Sequence, residues 1–584
     1  MSDEKWILVN KEANLQAMSA ALGIDPLTAR LLANRGANTV EKAQEYLSGT
    51  MADLHDPSLL KDAVKLVRLL TDALDRGQKI AVAADYDADG IFSGMILQTA
   101  LERLGAAVAV YTPDRISEGY GMNRRIVEDA KAFGAGVILT CDNGISAYDA
   151  IDYAKSLGMT VLVTDHHEQP AAGLPAADAV VDPKQAGDSY PFPGICGAFV
   201  AYKVMCLLYQ TLGRSPSELD DLIPYAAIAT VTDVMDLVEE NRILVREGLK
   251  MLEKTRQPGL RAMISACGLE NRPLSAYHLG FVLGPCFNAA GRLETVDTVR
   301  QLLTAESVEA AMPYAAKLQD LNDLRKVLTE EGRRAAMETI DREGLAKDSI
   351  LVVHLPDIHE SVAGIIAGRL RETWSRPALV VTGKGETVKG SGRSIEAYNL
   401  YEGLEACHGL LERYGGHAMA AGFSLSAANI AAFRKALNEA SGLTEDDLRP
   451  TVQLDAAMPP EYATPERIRE WEALGPFGKG FAQPLFGRSG LLLESIRVLG
   501  QNRNALRLRF RGETGRIFEG IWFGDVRVWE DFLKKTYGEK SFTMLERGQT
   551  RVKIALAYQP MLHEYEGRQS IQFRISHFRP ASGN

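Results

Sequence analysis

An α/β chain of several domains is predicted: a parallel-sheet domain, a long linking helix, a second and smaller α/β domain, and a C-terminal OB-like β-barrel. Three observations carry this. From Lys79 to about Asp236, short apolar runs alternate with helical patterns, as parallel strands joined by helices require. From Thr304 to Gly344 the chain is charged and helix-compatible, with no glycine between Thr304 and Glu331 and Pro313 near its start. From Leu491 to Ser576, strand-like runs dominate. With 584 residues the chain exceeds what one core organises.

The elements follow in order. Residues 1–78 read as a helical region, with apolar periodicity over Leu59–Leu74 and a cap at Asp56. In residues 79–303 the expected strands are Ile80–Ala84, Val108–Tyr111, Val137–Thr140, Val161–Thr164 and Ala179–Val181, followed by a mostly helical stretch from Asn241 to Thr304. Residues 304–345 form the linking helix. Residues 346–445 hold the second α/β domain, opened by Ser349–Val353 and Ala378–Val381. Glu445–Pro459 is polar and contains proline, which suggests a linker. Residues 446–584 carry the barrel, with strands over Ala505–Phe510, Ile517–Phe523, Arg551–Tyr558 and Gln569–Ser576.

The chemistry concentrates where strands end. The run Ile80–Ala84 stops in Asp85, Asp87 and Asp89, and Gly90 opens a helical pattern. Acids at such turns ordinarily act as caps. Carboxylates this close repel one another, however, unless a cation neutralises them. Three further segments repeat the pattern. Val137–Leu139 leads to Cys141, Asp142, Asn143 and Gly144. Val161–Val163 leads to Asp165, His166, His167 and Glu168. Asp233 interrupts the apolar, helix-like segment Ala226–Leu237. In a doubly wound sheet the strand ends converge on one edge, where ligands bind. Oxygen donors with one or two histidines suit Mn²⁺ or Mg²⁺ better than a structural zinc.

The strings DYDADG, CDNG, TDHHE and ATVTDVMDL resemble the four-motif signature of the DHH phosphoesterase superfamily. Later segments narrow the resemblance to the RecJ family of single-strand-specific 5′→3′ exonucleases: GPCFNAAGRLE (Gly284–Glu294), HESVAGIIAGRL (His359–Leu370), KGSGRS (Lys389–Ser394) and YGGHAMAAGFSL (Tyr414–Leu425). It covers most of the chain from about Lys79 onward and implies a DHH-type sheet domain, a DHH-associated substrate-binding domain and an OB domain. It also implies two divalent ions, Mn²⁺ or Mg²⁺, held by Asp85, Asp87, Asp142, His166 and Asp233. Many relatives carry a histidine four positions before the first acid, where this chain has Ala81. A ligand is then missing from one metal, or Asp89 replaces it. Asp165 is expected to orient a neighbour, and His167 to contact the reacting phosphate or the leaving oxygen. Two ions suit phosphodiester hydrolysis because they activate water and neutralise charge building on phosphorus, with Asp142 and His167 as catalytic residues.

Recognition of a terminal phosphate calls for arginine forks. The candidates are Arg115, Arg292, Ser391 and Arg393, with Gly416 and His417 on the substrate strand. Read alone, the glycines around them are ordinary turns. The implied function is hydrolysis of single-stranded DNA from the 5′ end to 5′-mononucleotides, in repair and recombination, by a cytoplasmic monomer. A narrow channel between the two α/β domains would exclude duplex, and the OB-like domain would guide the strand. A RecQ-type helicase and a single-strand-binding protein are the implied partners. Other readings are a phosphodiesterase for short or cyclic oligonucleotides, which usually lacks the barrel, a non-catalytic DNA-binding scaffold, which predicts eroded acids, and a pyrophosphatase, which needs a shorter chain.

Composition is compatible with this. Hydrophobic residues make up 46% and charged residues 24%, ordinary for a globular protein. No apolar run approaches the ~20 residues of a membrane span. The segment MSDEKWILVNKE is charged and lacks an apolar signal core. Six cysteines without CxxC spacing suggest free thiols in a reducing compartment, with Cys141 as a packing residue. The net charge of −11 does not exclude a nucleic-acid partner, because binding needs only a basic surface. Arg497, Arg503, Arg507, Arg509, Arg511 and Arg516 supply one candidate, with Arg507 and Arg509 on one strand face.

Overall fold

The computed structural model describes residues 4–115, 117–565 and 567–581. The chain divides into two compact units, Thr50–Leu448, and Met1–Gly49 together with Arg449–Asn584. No helix among the described residues is long and apolar enough to cross a membrane.

The larger unit is built on a five-stranded, wholly parallel sheet. Its order is Val108–Tyr111, Lys79–Ala84, Ala135–Cys141, Thr160–Thr164, Ala179–Val181. Side chains alternate between two cores, as the two-residue strand period demands. Ile80, Val82, Leu139 and Leu162 face one core, while Ala81, Ala83, Ile138 and Val161 face the other. Strand order reverses between Lys79–Ala84 and Ala135–Cys141, so the ligand crevice of a doubly wound sheet lies beyond those two strand ends. The register aligns Ala84, Cys141, Thr164 and Val181 in one row. The next residue in each strand is an aspartate: Asp85, Asp142, Asp165 and Asp182.

A helix of 36 residues, Val308–Glu343, leads to the second α/β layer. There the sheet order is Arg413–His417, Ala420–Ser426, Thr387–Arg393, Ala378–Thr382, Leu351–Leu355. Only the last pair is parallel, and the Glu360–Trp374 helix makes its crossover.

In the smaller unit, Phe486–Leu499, Ala505–Arg511, Ile517–Phe523, Arg568–Pro580 and Val552–Tyr565 pair in that order, and the last closes onto the first. The expected barrel is therefore present. Trp529 packs in its core, stacked on Phe578 with ring centroids 3.8 Å apart. Arg507 and Arg509 are exposed while Leu506, Leu508 and Phe510 are buried, as the period-2 reading expects. The basic stretch is nonetheless uneven. Arg511 pairs with Glu494, and Arg503 with Glu530.

Two expectations are corrected. Residues 1–78 do not form one helical region, because Lys5–Leu8 is a strand paired in parallel with Thr451–Leu454, whereas the Ala63–Asp75 helix packs in the core of the parallel sheet. Glu445–Pro459 is not merely a linker, because it contains that strand and the short strand Ala456–Ala457. Asp455 between them accepts two hydrogen bonds from Arg35, at 2.6 and 2.9 Å. A four-residue strand has too little periodicity to read, and its partner lies at the other end of the chain.

Candidate active site

The acid cluster forms where the register and the switch point place it. Asp87 caps the Ala88–Arg103 helix, its Oδ1 accepting from the Asp89 and Gly90 amides at 3.0 and 3.2 Å. Asp89 accepts from the Gly197 and Ala198 amides at 2.7 and 2.8 Å, at the start of the Gly197–Thr211 helix. His166 Nε2 stands 3.1 Å from Asp142 Oδ1, 3.5 Å from Asp89 Oδ2 and 3.8 Å from Asp233 Oδ2. Donor atoms fall into three sets, each within 4.8 Å: Asp85–Asp87–Asp142, Asp89–His166–Asp233, and Asp142–His166–His167. Asp142 and His166 are each shared by two sets, an arrangement suited to two neighbouring ions.

Close approach has local causes. A Cβ on Gly90 would sit 2.5 Å from the Asp85 carbonyl oxygen, and one on Gly197 would sit 2.7 Å from Asp142 Cβ. Asp142 itself adopts φ +59°, a strained conformation of the kind that clusters at functional sites.

Electrostatics call for cations. Burial, then the neighbouring carboxylates, raise Asp85, Asp142 and Asp233 well above the usual carboxylate range, and the same causes bring Asp89 to about 6. Burial, then the charge on His167, lower His166 to about 3, so it offers a neutral imidazole. Burial opposes the charge on His167, but Asp165 Oδ1, 2.8 Å from its Nδ1, overrides it and takes it to about 9. The Tyr120 hydroxyl donates to the Asp142 carbonyl at 2.6 Å and lies 3.0 Å from His167 Nδ1. This all-oxygen-plus-imidazole donor set fits Mn²⁺ or Mg²⁺.

Beside the cluster is a cavity of about 340 Å³, walled by Tyr86, Arg115, Arg292, Ser391 and Arg393. Arg292 Nη1 donates to the Ser361 carbonyl at 2.9 Å, and Arg393 Nη1 to the Gly392 carbonyl at 2.8 Å. Burial and the other guanidinium groups push both below the ordinary arginine range. The acid in the wall, Glu360, is engaged by Lys389 at 3.0 Å. Concentrated positive charge held by neutral partners is a site for an anion. Tyr86, between Asp85 and Asp87, carries the Arg115 guanidinium 4.9 Å over its ring, so one residue joins cavity and cluster.

Three family models match the chain: the DHH family, N-terminal domain, over residues 79–230, the DHHA1 domain over 347–442, and the RecJ OB domain over 454–577. The single-stranded-DNA-specific exonuclease RecJ of Escherichia coli is 31% identical over 95% of this chain and 96% of its own length. The chain belongs to the RecJ family. RecJ of Bacillus subtilis is 36% identical over 88% of the chain and 65% of its own length. The crystal structure of Thermus thermophilus RecJ with Mn²⁺ superposes with a TM-score of 0.83 at 27% identity, over 99% of this chain and 80% of that one. A second structure of that protein, with Mg²⁺, gives 0.76.

Within this RecJ-family fold the residues read from sequence fall into three places. Asp85, Asp87, Asp89, Asp142, His166, His167 and Asp233 gather in the acid cluster. Arg115, Arg292, Ser391 and Arg393 line the cavity. Gly416 and His417 do not line it. They lie on the exposed Arg413–His417 strand, where His417 is lowered by burial and then by the charge of His167. Ala81 is buried inside its strand, whereas Asp89 stands beside His166. Sequence reading missed Tyr86, Tyr120 and Asp182. Asp182 was findable, since Val181 ends a strand as Cys141 and Thr164 do. Burial, then Asp165, raises it to about 7.

The stability gained from Mn²⁺ should grow with pH. A carboxyl raised in the fold contributes stability that is full below its unfolded pKa of about 3.9 and lost as pH rises through its folded value. For Asp89 that value is about 6. Metal-free protein is therefore penalised most at pH 8, where Mn²⁺ also meets least proton competition. Metal at a hundred times its Kd stabilises by about 2.7 kcal/mol. Thermal melts of dialysed protein with and without Mn²⁺ at pH 5 and pH 8 check this, and a gain that shrinks with pH would contradict it.

Proposed function

We propose that this chain hydrolyses single-stranded DNA from the 5′ end, releasing 5′-mononucleotides, with Mn²⁺ or Mg²⁺ at the acid cluster. The observation that supports it best is the arginine cavity joined to the cluster through Tyr86. A terminal 5′-phosphate held by Arg115, Arg292, Ser391 and Arg393 leaves the next phosphodiester at the acids. Asp85, Asp87, Asp89, Asp142, His166 and Asp233 would hold the ions, which supply an activated water and offset charge on the reacting phosphate. His167, charged and oriented by Asp165, holds a proton at Nε2 for that phosphate or its leaving oxygen. Tyr120 fixes the backbone of Asp142 and the ring of His167. Gly416 and His417 present a hairpin to the strand.

The reading extends to a cytoplasmic monomer acting in repair and recombination. A RecQ-type helicase and a single-strand-binding protein fit that role, since one exposes single strands and the other coats them. Digestion of 5′-labelled and 3′-labelled single strands, with a duplex control, in Mn²⁺, Mg²⁺ and EDTA tests the chemistry. Immediate release of the 5′ label as a mononucleotide, slow duplex digestion and no reaction in EDTA are expected. Release from the 3′ end first would overturn the polarity, and binding without cleavage in either metal would overturn catalysis.

A further inference from the structure

Cys267 ends one helix and Cys286 lies within another, with their sulfurs 3.9 Å apart, and nothing in the proposed reaction uses them. Cys267 caps the Pro258–Ala266 helix, and Cys286 sits in the first turn of the Gly284–Leu293 helix. Cys286 is 1% exposed, donates to the Val282 carbonyl at 3.3 Å and accepts from Asn322 Nδ2 at 3.4 Å. Cys267 is half-buried, so an oxidant reaches it first. When the Cys286 S–H turns from the Val282 carbonyl to Cys267, that hydrogen bond holds Cys267 below the ordinary thiol range, against burial and with help from Lys326. An accessible sulfur that favours thiolate, in contact with a second thiol, is the arrangement of oxidisable dithiols.

We propose that Cys267 and Cys286 form a peroxide-sensitive pair that closes reversibly to a disulfide and thereby weakens 5′-phosphate recognition. The effect on recognition rests on the function proposed above, whereas the disulfide does not. The Cys267 thiolate attacks a peroxide oxygen. An S–O bond forms, the O–O bond breaks, and the departing hydroxide takes a proton to become water. The Cys286 sulfur then attacks the sulfenic sulfur of Cys267. The S–S bond forms, the S–O bond breaks, and the hydroxyl leaves with the Cys286 proton as a second water. Two thiols lose two electrons, and the peroxide gains them.

Closure has a mechanical consequence. A disulfide needs its sulfurs about 2.05 Å apart, so these must approach by roughly 1.9 Å. Cys267 precedes Gly268, which has φ +65° and terminates the helix, so closure is shared between that end and the helix of Cys286. Cys286 belongs to the helix that carries Asn288, Gly291 and Arg292. Asn288 Oδ1 accepts from the Ala88 amide at 2.9 Å, and a Cβ on Gly291 would lie 2.3 Å from the Tyr86 carbonyl oxygen. Arg292 reaches into the arginine cavity. A displacement of this helix is passed to Tyr86 and Arg292, because close-packed interiors transmit strain.

The test uses the reduced full-length chain treated with hydrogen peroxide. Peptide mass spectrometry after alkylation should find Cys267 joined to Cys286, about 2 Da lighter than the two reduced peptides together, and released by dithiothreitol. The preference in kcat/KM for 5′-phosphorylated over 5′-hydroxyl strands should fall by about five-fold on oxidation and return on reduction. Cys267→Ser, at the more accessible position, should keep its preference under peroxide. Oxidation at Cys141, Cys196, Cys206 or Cys407 with this pair still reduced would overturn the proposal. So would sulfinic acid accumulating at Cys267, or a disulfide that leaves the preference unchanged. If neither strand is cleaved even by reduced protein, the functional reading fails and the mass result still decides the dithiol.

Discussion

Asp142→Asn should abolish metal-dependent cleavage while making the metal-free protein more stable. Asp142 belongs to two of the three donor sets, so its loss removes a ligand atom from both. Even groups that only support metal ligands cost roughly 10- to 100-fold in metal affinity or activity when removed, and a shared ligand should cost more than about 100-fold. Stability moves the other way. The Asp142 carboxyl is pushed well up by burial and by Asp89, Asp87 and Asp85, so its ionisation in the absence of metal costs stability. A folded pKa above the unfolded value means that this cost is absent well below the unfolded pKa and present at pH 8. Relief on the order of 1 kcal/mol would raise Tm by roughly 2 °C. Asparagine is the right replacement because the position has φ +59°, which asparagine tolerates better than alanine. Melts at pH 8 without metal should show the variant above the parent, and Mn²⁺ should close or reverse the gap. A lower Tm for the metal-free variant would mean that Asp142 holds the fold rather than the ions.

Arg393→Ala should separate recognition of the strand end from cleavage. The half-buried Arg393 guanidinium lies near Arg115 and is held by a backbone carbonyl, and no carboxylate among the described cavity residues pairs with it, so an incoming phosphate would be its first anionic partner. A charge-assisted hydrogen bond contributes about 1.5–3 kcal/mol, and 1.4 kcal/mol is a factor of ten. KM for a 5′-phosphorylated strand should therefore rise roughly 10- to 100-fold, with a far smaller change for a 5′-hydroxyl strand. Steady-state kinetics on matched oligonucleotides decide it. Equal losses on both strands would place Arg393 on the sugar–phosphate backbone instead of the terminus. The glycine at Gly364 bears on the same geometry, since a Cβ there would meet Ser391 Oγ at 2.8 Å and Arg393 Nη2 at 3.0 Å.

Much of this architecture was legible because it is written locally. Two of the parallel strands announced themselves through apolar runs that stop in Asp–Asn–Gly and Asp–His turns, and the long helix through a charged stretch with no glycine between Thr304 and Glu331. Asp85, Asp142 and Asp165 were legible for the same reason, since each sits directly after its strand, whereas Asp233 ends a helix. Tyr120 carried no such signal. It lies in the loop after Val108–Tyr111, and only the fold brings its hydroxyl to Asp142 and His167. The strand Lys5–Leu8 was missed because its partner is more than 400 residues away in the chain, and pairing over such a separation leaves no trace in either segment alone.

Residue pattern indicated most of the elements between Lys79 and Ser426 and their order, and it drew attention to the acids at the strand ends, because periodicity and turn chemistry act over a few residues. Folding settled which of those groups meet. Register aligned four strand-end aspartates in one row, strand order opened the crevice between Asp85 and Asp142, and Tyr86 was set between the acids and the arginine cavity. The contact between Cys267 and Cys286 also belongs to folding, since no spacing in the sequence pairs them. Raised carboxyls, a strongly basic His167 and crowded guanidiniums follow from burial and neighbouring charge, and both are properties of the packed chain.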